Sequence, residues 1–405
     1  MASTTAPEFA PHAVTDSVSK PERLISLDVF RGLTVAGMIL VTNPGTYSAV
    51  YWPLLHANWN GWTLTDMIFP SFLFIVGVAM TLSFAARTAR GERRGQLARH
   101  LLQRAAILIL LGLFLNAFPS FEMHTLRIPG VLQRIALCYA IGGLLYLSLM
   151  PEAGCDNARC ARRRIFILCA VIAVLVGGYW LTLRYVPVPD FGPDRLDSLG
   201  NIGAYLDRAV FTTRHMWFYG TTPGHGVTFD PEGLLTTLPA TANLLIGLVA
   251  GEALRAKSSG IRKAILFAVA GLILFLAGMA LNSLLPINKK IWTSTFVLLS
   301  SGFSLMAFAL CYWVVDLRRW RWWTGPALIF GTNAILAFAL TNIITPLTDA
   351  IHVHPGINLH AWGYQTIFLP WLSPVQASLA YALALVGLNM AIVAVFYRKR
   401  IFLRI

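Results

Sequence analysis

Long apolar stretches alternate along this chain with short polar segments rich in arginine. Ten such stretches lie near 28–43, 64–86, 105–119, 132–149, 165–186, 234–254, 264–285, 294–315, 324–345 and 374–397. A helix needs about 20 mostly apolar residues to cross a bilayer, and most of these meet that length. The alternating apolar/polar segments of a membrane barrel are absent. The pattern predicts an all-α polytopic membrane protein of about ten transmembrane helices, with the lipid bilayer as its first partner. The first stretch opens on Asp28 and Arg31, which places its start in the headgroup layer.

Composition sharpens this picture. Of 405 residues, 56% are hydrophobic and 12% are charged, against roughly 25% charged in a soluble domain. A soluble enzyme of this length is therefore excluded. The net charge of +14 would point to nucleic acid in a soluble protein. Here 23 of the 32 Lys and Arg fall in segments on one side of the predicted membrane and eight on the other. Lys and Arg gather on the cytoplasmic side. Both termini are thus expected in the cytoplasm, and no nucleic-acid partner is called for.

Residues 1–22 lack the basic start, apolar run and small-residue cleavage site of a signal peptide. They are expected to form a disordered cytoplasmic tail, with 23–405 as a single transmembrane domain. Two long loops, 187–233 and 346–373, fall on the outer side. Cys155 and Cys160 lie in an inner loop, where thiols stay reduced, so no disulfide framework is expected. Asp349, His352, His354 and His360 match no strong ligand spacing, and no metal is expected. Phosphate-loop, nucleophile-elbow and zinc-protease motifs are absent.

Polar groups at membrane depth are costly and mark candidate chemistry. Asn43 through His56, Asn60 and Asp66 join the first two stretches without one Lys or Arg. His56 can hold a proton near neutral pH or act as a nucleophile. Asp66 can orient it, and Asn43 and Asn60 can stabilise an oxyanion. The plainer alternative is an interfacial histidine with helix-ending asparagines. Arg127, Gln133 and Arg134 enter the fourth stretch together. They suit an anion or carboxylate, or else a structural ion pair, for instance with Glu122. Asn288, Lys289, Lys290 and Trp292 form an outer loop that suits a substrate or an inward carboxylate, or else a solvated turn with a tryptophan anchor. Asp28 and Arg31 are spaced to share one helix face; Arg31 with Arg23 suits a phosphate, or else Arg31 simply snorkels.

Six blocks in order carry a family resemblance. They are Arg23-Leu-Ile-Ser-Leu-Asp-Val-Phe-Arg-Gly32, His56-Ala-Asn-Trp-Asn-Gly-Trp-Thr-Leu-Thr-Asp-Met-Ile-Phe-Pro70, Arg127-Ile-Pro-Gly-Val-Leu-Gln-Arg134, Phe229-Asp-Pro-Glu-Gly233, Asn288-Lys-Lys-Ile-Trp292 and Gly331-Thr-Asn-Ala-Ile-Leu336. The chain resembles the heparan-α-glucosaminide N-acetyltransferase family and its bacterial relatives. The resemblance implies transfer of an acetyl group from cytosolic acetyl-CoA to an amino sugar on the periplasmic side of a bacterial inner membrane. It implies His56 as the active histidine, with Asn43 before it and Asp66 after it. On this reading Asn60 joins the catalytic group. Acetyl-CoA is assigned to Arg23, Asp28, Arg31, Arg127, Gln133 and Arg134, with the arginine-rich segment 87–104. The sugar is assigned to Asn288, Lys289, Trp292, Asp230 and Asn333 under the outer loops. Acetyl-CoA serves as cosubstrate, without metal, and a homodimer stays open. The rival readings are an amino-sugar permease and a non-catalytic uptake partner.

Overall fold

A computed structural model describes residues 24–150 and 158–403. The tail 1–22, Arg23 and Cys155 lie outside the described residues. Thirteen helices occur in chain order: α1 (Ile25–Thr42), α2 (Ile68–Thr88), α3 (Arg94–Ala117), α4 (Val131–Leu149), α5 (Ala158–Tyr185), α6 (Ile202–Phe211), α7 (Thr237–Arg255), α8 (Gly260–Ala280), α9 (Ser294–Cys311), α10 (Gly325–Thr332), α11 (Ala334–Ala350), α12 (Leu359–Trp362) and α13 (Pro374–Arg398). Two small hairpins, β1 (Thr221–Thr222) with β2 (Gly226–Val227) and β3 (His352–His354) with β4 (Ile357–Asn358), are antiparallel.

Among the described residues, nine helices are long and apolar enough to cross a membrane, and the bent pair α10–α11 makes a tenth if it is one span. All ten predicted stretches are therefore helical. Two begin well before the point where hydropathy places them, by seven residues or more. α3 starts at Arg94 and α5 at Ala158, because arginine is a good helix former and continues a helix into the headgroup layer. The predicted 87–104 loop is thereby reduced to a short turn before Arg94. The ninth stretch is broken, with α10 and α11 meeting at 84° on Asn333.

α2, α7 and α9 form the inner layer, while α5, α8 and α13 leave most of their surface uncovered. Without a hydrophobic drive between helices in lipid, close backbone approach carries the packing. Gly77 of α2 and Gly247 of α7 provide it reciprocally. A Cβ at Gly77 would stand 2.1 Å from the Leu244 carbonyl oxygen, and one at Gly247 would stand 2.1 Å from that of Phe74. Polar staples accompany this packing. Arg164 of α5 holds the buried Glu252 of α7 at 3.0 and 3.1 Å, and Tyr146 of α4 donates to the same carboxylate.

The predicted 187–233 loop folds into a cap containing α6 and the β1–β2 hairpin. The Asn201 side chain accepts from Ala204 N at 2.8 Å and starts α6. Inside the cap, Asp207 is buried and accepts from Leu234 N at 2.8 Å. The 346–373 loop carries β3, β4 and α12; its His360 faces Asp349 at 3.2 Å and stacks on Tyr381 at 4.8 Å.

A side chain at residue 77 meets backbone on the facing helix, which cannot rotate away. Gly77→Val is expected to cost about 1–3 kcal/mol or more. This will show as a lower thermal midpoint in detergent, while Gly387→Val, at a position with open space, will melt like the parent.

Burial first, and the charge of Asp230 in addition, push the Asp207 pKa up to about 7 against the stabilising Leu234 N–H. This is above the ordinary 3.8. The contribution of Asp207 to stability is thus fully present below about pH 4 and is lost as pH rises through about 7. Asp207→Asn should therefore raise the melting temperature at pH 8 and leave it nearly unchanged at pH 4.

Candidate active site

The segment before α2 is organised around one carboxylate. Asp66 is buried at the head of α2. Its Oδ2 accepts from Ala57 N at 3.2 Å, Thr63 N at 2.9 Å and Thr63 Oγ1 at 3.1 Å. Its Oδ1 lies 2.7 Å from His56 Nδ1. A carboxylate only accepts, so His56 Nδ1 carries the hydrogen and Nε2 keeps its lone pair. The imidazole is half-exposed. The Lys289 Nζ lies 3.0 Å from His56 Nδ1, 3.5 Å from Nε2 and 3.6 Å from Asp66 Oδ1. Loss of water, then the Lys289 cation, pull the His56 pKa below its ordinary value, against Asp66 and Glu232. Lys289 is itself lowered, by burial first, with Asp66 opposing.

The loop that delivers Lys289 is locked from below. Asn288 is buried; it donates to Asn60 Oδ1 at 3.2 Å and accepts from Ile291 N at 3.1 Å. Lys290 donates to Asn58 O at 2.5 Å and lies over Trp59 and Phe229. Trp292, assigned to the sugar, is fully buried beneath Arg134, and its Nε1 donates to Asn243 at 3.0 Å. Asn288 and Trp292 thus build the floor and present no open face. Trp59 donates to Leu196 O at 2.9 Å, which ties the cap to the His56 loop.

Arg127 donates to Asp230 at 2.9 and 2.6 Å and to Glu232 at 2.5 Å. Its partners are these two acids and not Glu122. Although burial opposes it, the two acids raise the Arg127 pKa. Asp230 also accepts from Trp217 N at 2.8 Å, so this carboxylate braces the cap and is not open to a sugar. Arg134 is fully buried, donating to Gly233 O at 3.1 Å and to Thr236 Oγ1. Its Nε and Nη1, with Gln133 Nε2, have no partner among the described residues. Arg127, Gln133 and Arg134 therefore stand at the His56 end of the bundle, away from Arg31.

At the other end a cavity of about 680 Å³ opens between α1, α2, α3, α4, α10 and α11. Asp28, Arg31, His100, Gln103 and Arg104 line its polar end. Met80, Ala79, Ile107 and Phe338 give it apolar walls. Along α2 it runs from Phe72 to Phe84, about 18 Å of helix. His56 is not among its lining residues, and Phe72 lies about 9 Å of helix beyond Asp66. His100, Gln103 and Arg104 fall in the segment 87–104 that the sequence assigned to acetyl-CoA as a whole, and their spacing puts them on one face.

Two other expected residues are placed apart from His56. Asn43 ends α1 by donating to Ile39 O at 2.6 Å and Thr341 Oγ1 at 3.0 Å, and it accepts from Thr345. It ties α1 to α11 and has no contact with His56. Asn333 is buried behind the cavity wall, between the lining residues Thr332 and Ala334. It donates to Ile401 O and accepts from Leu403 N, each at 3.2 Å, so that Phe402 and Leu403 line the cavity. Arg31 donates to Gly331 O at 2.9 Å and lies 3.3 Å from Asp28. Among the described residues no cluster of three His, Cys, Asp or Glu could hold a metal ion.

Residues 23–187 match the family model described as Heparan-alpha-glucosaminide N-acetyltransferase, catalytic. The chain is 30% identical over 353 residues to the heparan-alpha-glucosaminide N-acetyltransferase of Homo sapiens, covering 78% of this chain and 52% of the relative. It is 29% identical over 355 residues to that of Mus musculus, covering 79% and 53%. The chain spans about half the length of these curated relatives. The resemblance read from the six sequence blocks is thereby borne out, and the chain belongs to the heparan-alpha-glucosaminide N-acetyltransferase family.

Proposed function

We propose that this protein carries an acetyl group from acetyl-CoA, entering at the Arg31 end, to the amine of a glucosamine-like sugar at the His56 end. The observation that carries this is the half-exposed His56, its Nδ1 held 2.7 Å from Asp66, at the end of the bundle opposite a basic cavity mouth. Acetyl-CoA fits that cavity chemically. Its phosphates match Arg31, His100 and Arg104, and its thin pantetheine arm matches the apolar walls. The thioester reaches His56 by a side-chain movement past Phe72. Charge distribution supports placing the cavity mouth and both termini in the cytoplasm, with the domain 23–405 crossing a bacterial inner membrane and the caps on the periplasmic side.

Chemistry proceeds by one of two routes. In one, Nε2 attacks the thioester carbonyl, coenzyme A leaves as thiolate and takes a proton, and the amine displaces the acyl-imidazole. In the other, the amine attacks directly while Nε2 takes its proton, which returns to the leaving thiolate. Asp66 holds the tautomer in both. The Asn60 amide and the Lys289 ammonium are the donors nearest the carbonyl oxygen as negative charge develops. Trp217, Phe218 and Tyr219 in the cap offer aromatic faces to a sugar ring.

Purified protein in lipid discs is expected to release coenzyme A from acetyl-CoA only when glucosamine is added. His56→Ala should lower that rate by about 100-fold or more. Ala79→Trp, which fills the cavity midway, should abolish release without displacing His56. Sugar flux with no coenzyme A release would establish the permease instead.

A further inference from the structure

Lys289 was expected to meet the sugar, but its Nζ lies 3.0 Å from one nitrogen of His56 and 3.5 Å from the other. An ammonium placed so is over the edge of the ring. His56 Nδ1 already donates to Asp66 at 2.7 Å, so it has no lone pair for a second donor. Lys289 therefore donates nothing to Nδ1, and toward the ring it has only the long approach to Nε2 at 3.5 Å. Both nitrogens serve the same carboxylate oxygen, Lys289 from 3.6 Å. One carboxylate thus faces two groups that can each carry a positive charge.

We infer that Lys289 holds the imidazole of His56 uncharged, acting on the catalytic histidine and not on the acceptor sugar. For its catalytic meaning this rests on the acetyl-transfer reading, because an imidazolium has no lone pair with which to take an acetyl group or a proton. The groups that face His56 are few. Asp66 approaches from the head of α2 and Glu232 from the cap, both favouring the charged ring. Lys289 opposes them. Arg127 neutralises Glu232 at 2.5 Å, Arg134 reinforces the positive field around Lys289, and Lys290 is turned away onto Asn58 O. With Glu232 engaged elsewhere, Lys289 is the neighbouring charge that joins burial in keeping the ring neutral against Asp66. The loop that holds it is rigid, since Asn288 and Lys290 pin it on both sides. A neighbouring cation at this distance shifts a pKa by about one unit even in a wet site.

The test compares the full chain with Lys289→Met, Lys289→Gln and Lys289→Arg. Of the two forms of a histidine, diethylpyrocarbonate modifies only the neutral one. Its rate at His56 is followed by mass spectrometry of the His56 peptide across pH, beside the pH profile of coenzyme A release. Lys289→Met should raise the midpoint of modification, and the acidic limb of the activity profile, by about one pH unit. Lys289→Arg should keep both midpoints near the parent's, since it retains the charge. Should Lys289→Met fail to fold, Lys289→Gln is read in the same way. An unmoved modification midpoint in the uncharged variants overturns the inference and returns Lys289 to the sugar. A parent chain that releases no coenzyme A, with midpoints that move as described, removes the acetyl-transfer reading and leaves the control of His56 standing.

Discussion

A carboxylate withdrawn from water must have its lone pairs filled, and in this chain Asp66 imposes that requirement on everything around it. Its oxygens draw in the backbone of Ala57 and Thr63, the Thr63 hydroxyl and the His56 ring. The loop from 55 to 66 has no regular structure of its own beyond short turns. It is shaped by being wrapped around this one acid. His56 is therefore oriented by the same contacts that let α2 begin there. Removing the acid would release the imidazole, the loop and the partner of Lys289 together.

The surrounding structure extends this principle outward. Arg127 answers Asp230 and Glu232 at the cap, and Arg164 answers Glu252 deep between α5 and α7. Breaking either pair by losing one member would leave a buried charge, at about 3–5 kcal/mol. The starts of α2, α4, α7 and α9 all lie at the His56 end, and helix N-termini carry partial positive charge. At this end Arg127 and Lys289 face the carboxylates of Asp230, Glu232 and Asp66, while the buried Arg134 has two nitrogens without a hydrogen-bond partner among the described residues.

How much of this could be read beforehand depended on whether a signal was local. The spans were legible because twenty apolar residues in a row leave few alternatives. The inner ends of α3 and α5 were not, because arginine reads as loop to hydropathy while it still favours helix. His56 with Asp66 was legible because ten residues of loop keep them close. The roles of Asp230, Trp292 and Asn333 depend on partners 49 to 103 residues away in sequence, which no periodicity reports. Asn43 had the right chemistry but its amide is used in joining α1 to α11. The cavity was invisible, since it is a property of how six helices lean apart.

The bend at Asn333 has a practical side. Its amide grips residues 401 and 403 much as a neighbouring strand would, so the stretch after the last span is stitched beside the cavity. An environment-sensitive dye on residue 403 would sit at the doorway, remote from His56. Its emission would register arrivals there in real time, giving an optical gauge of occupancy that needs no turnover.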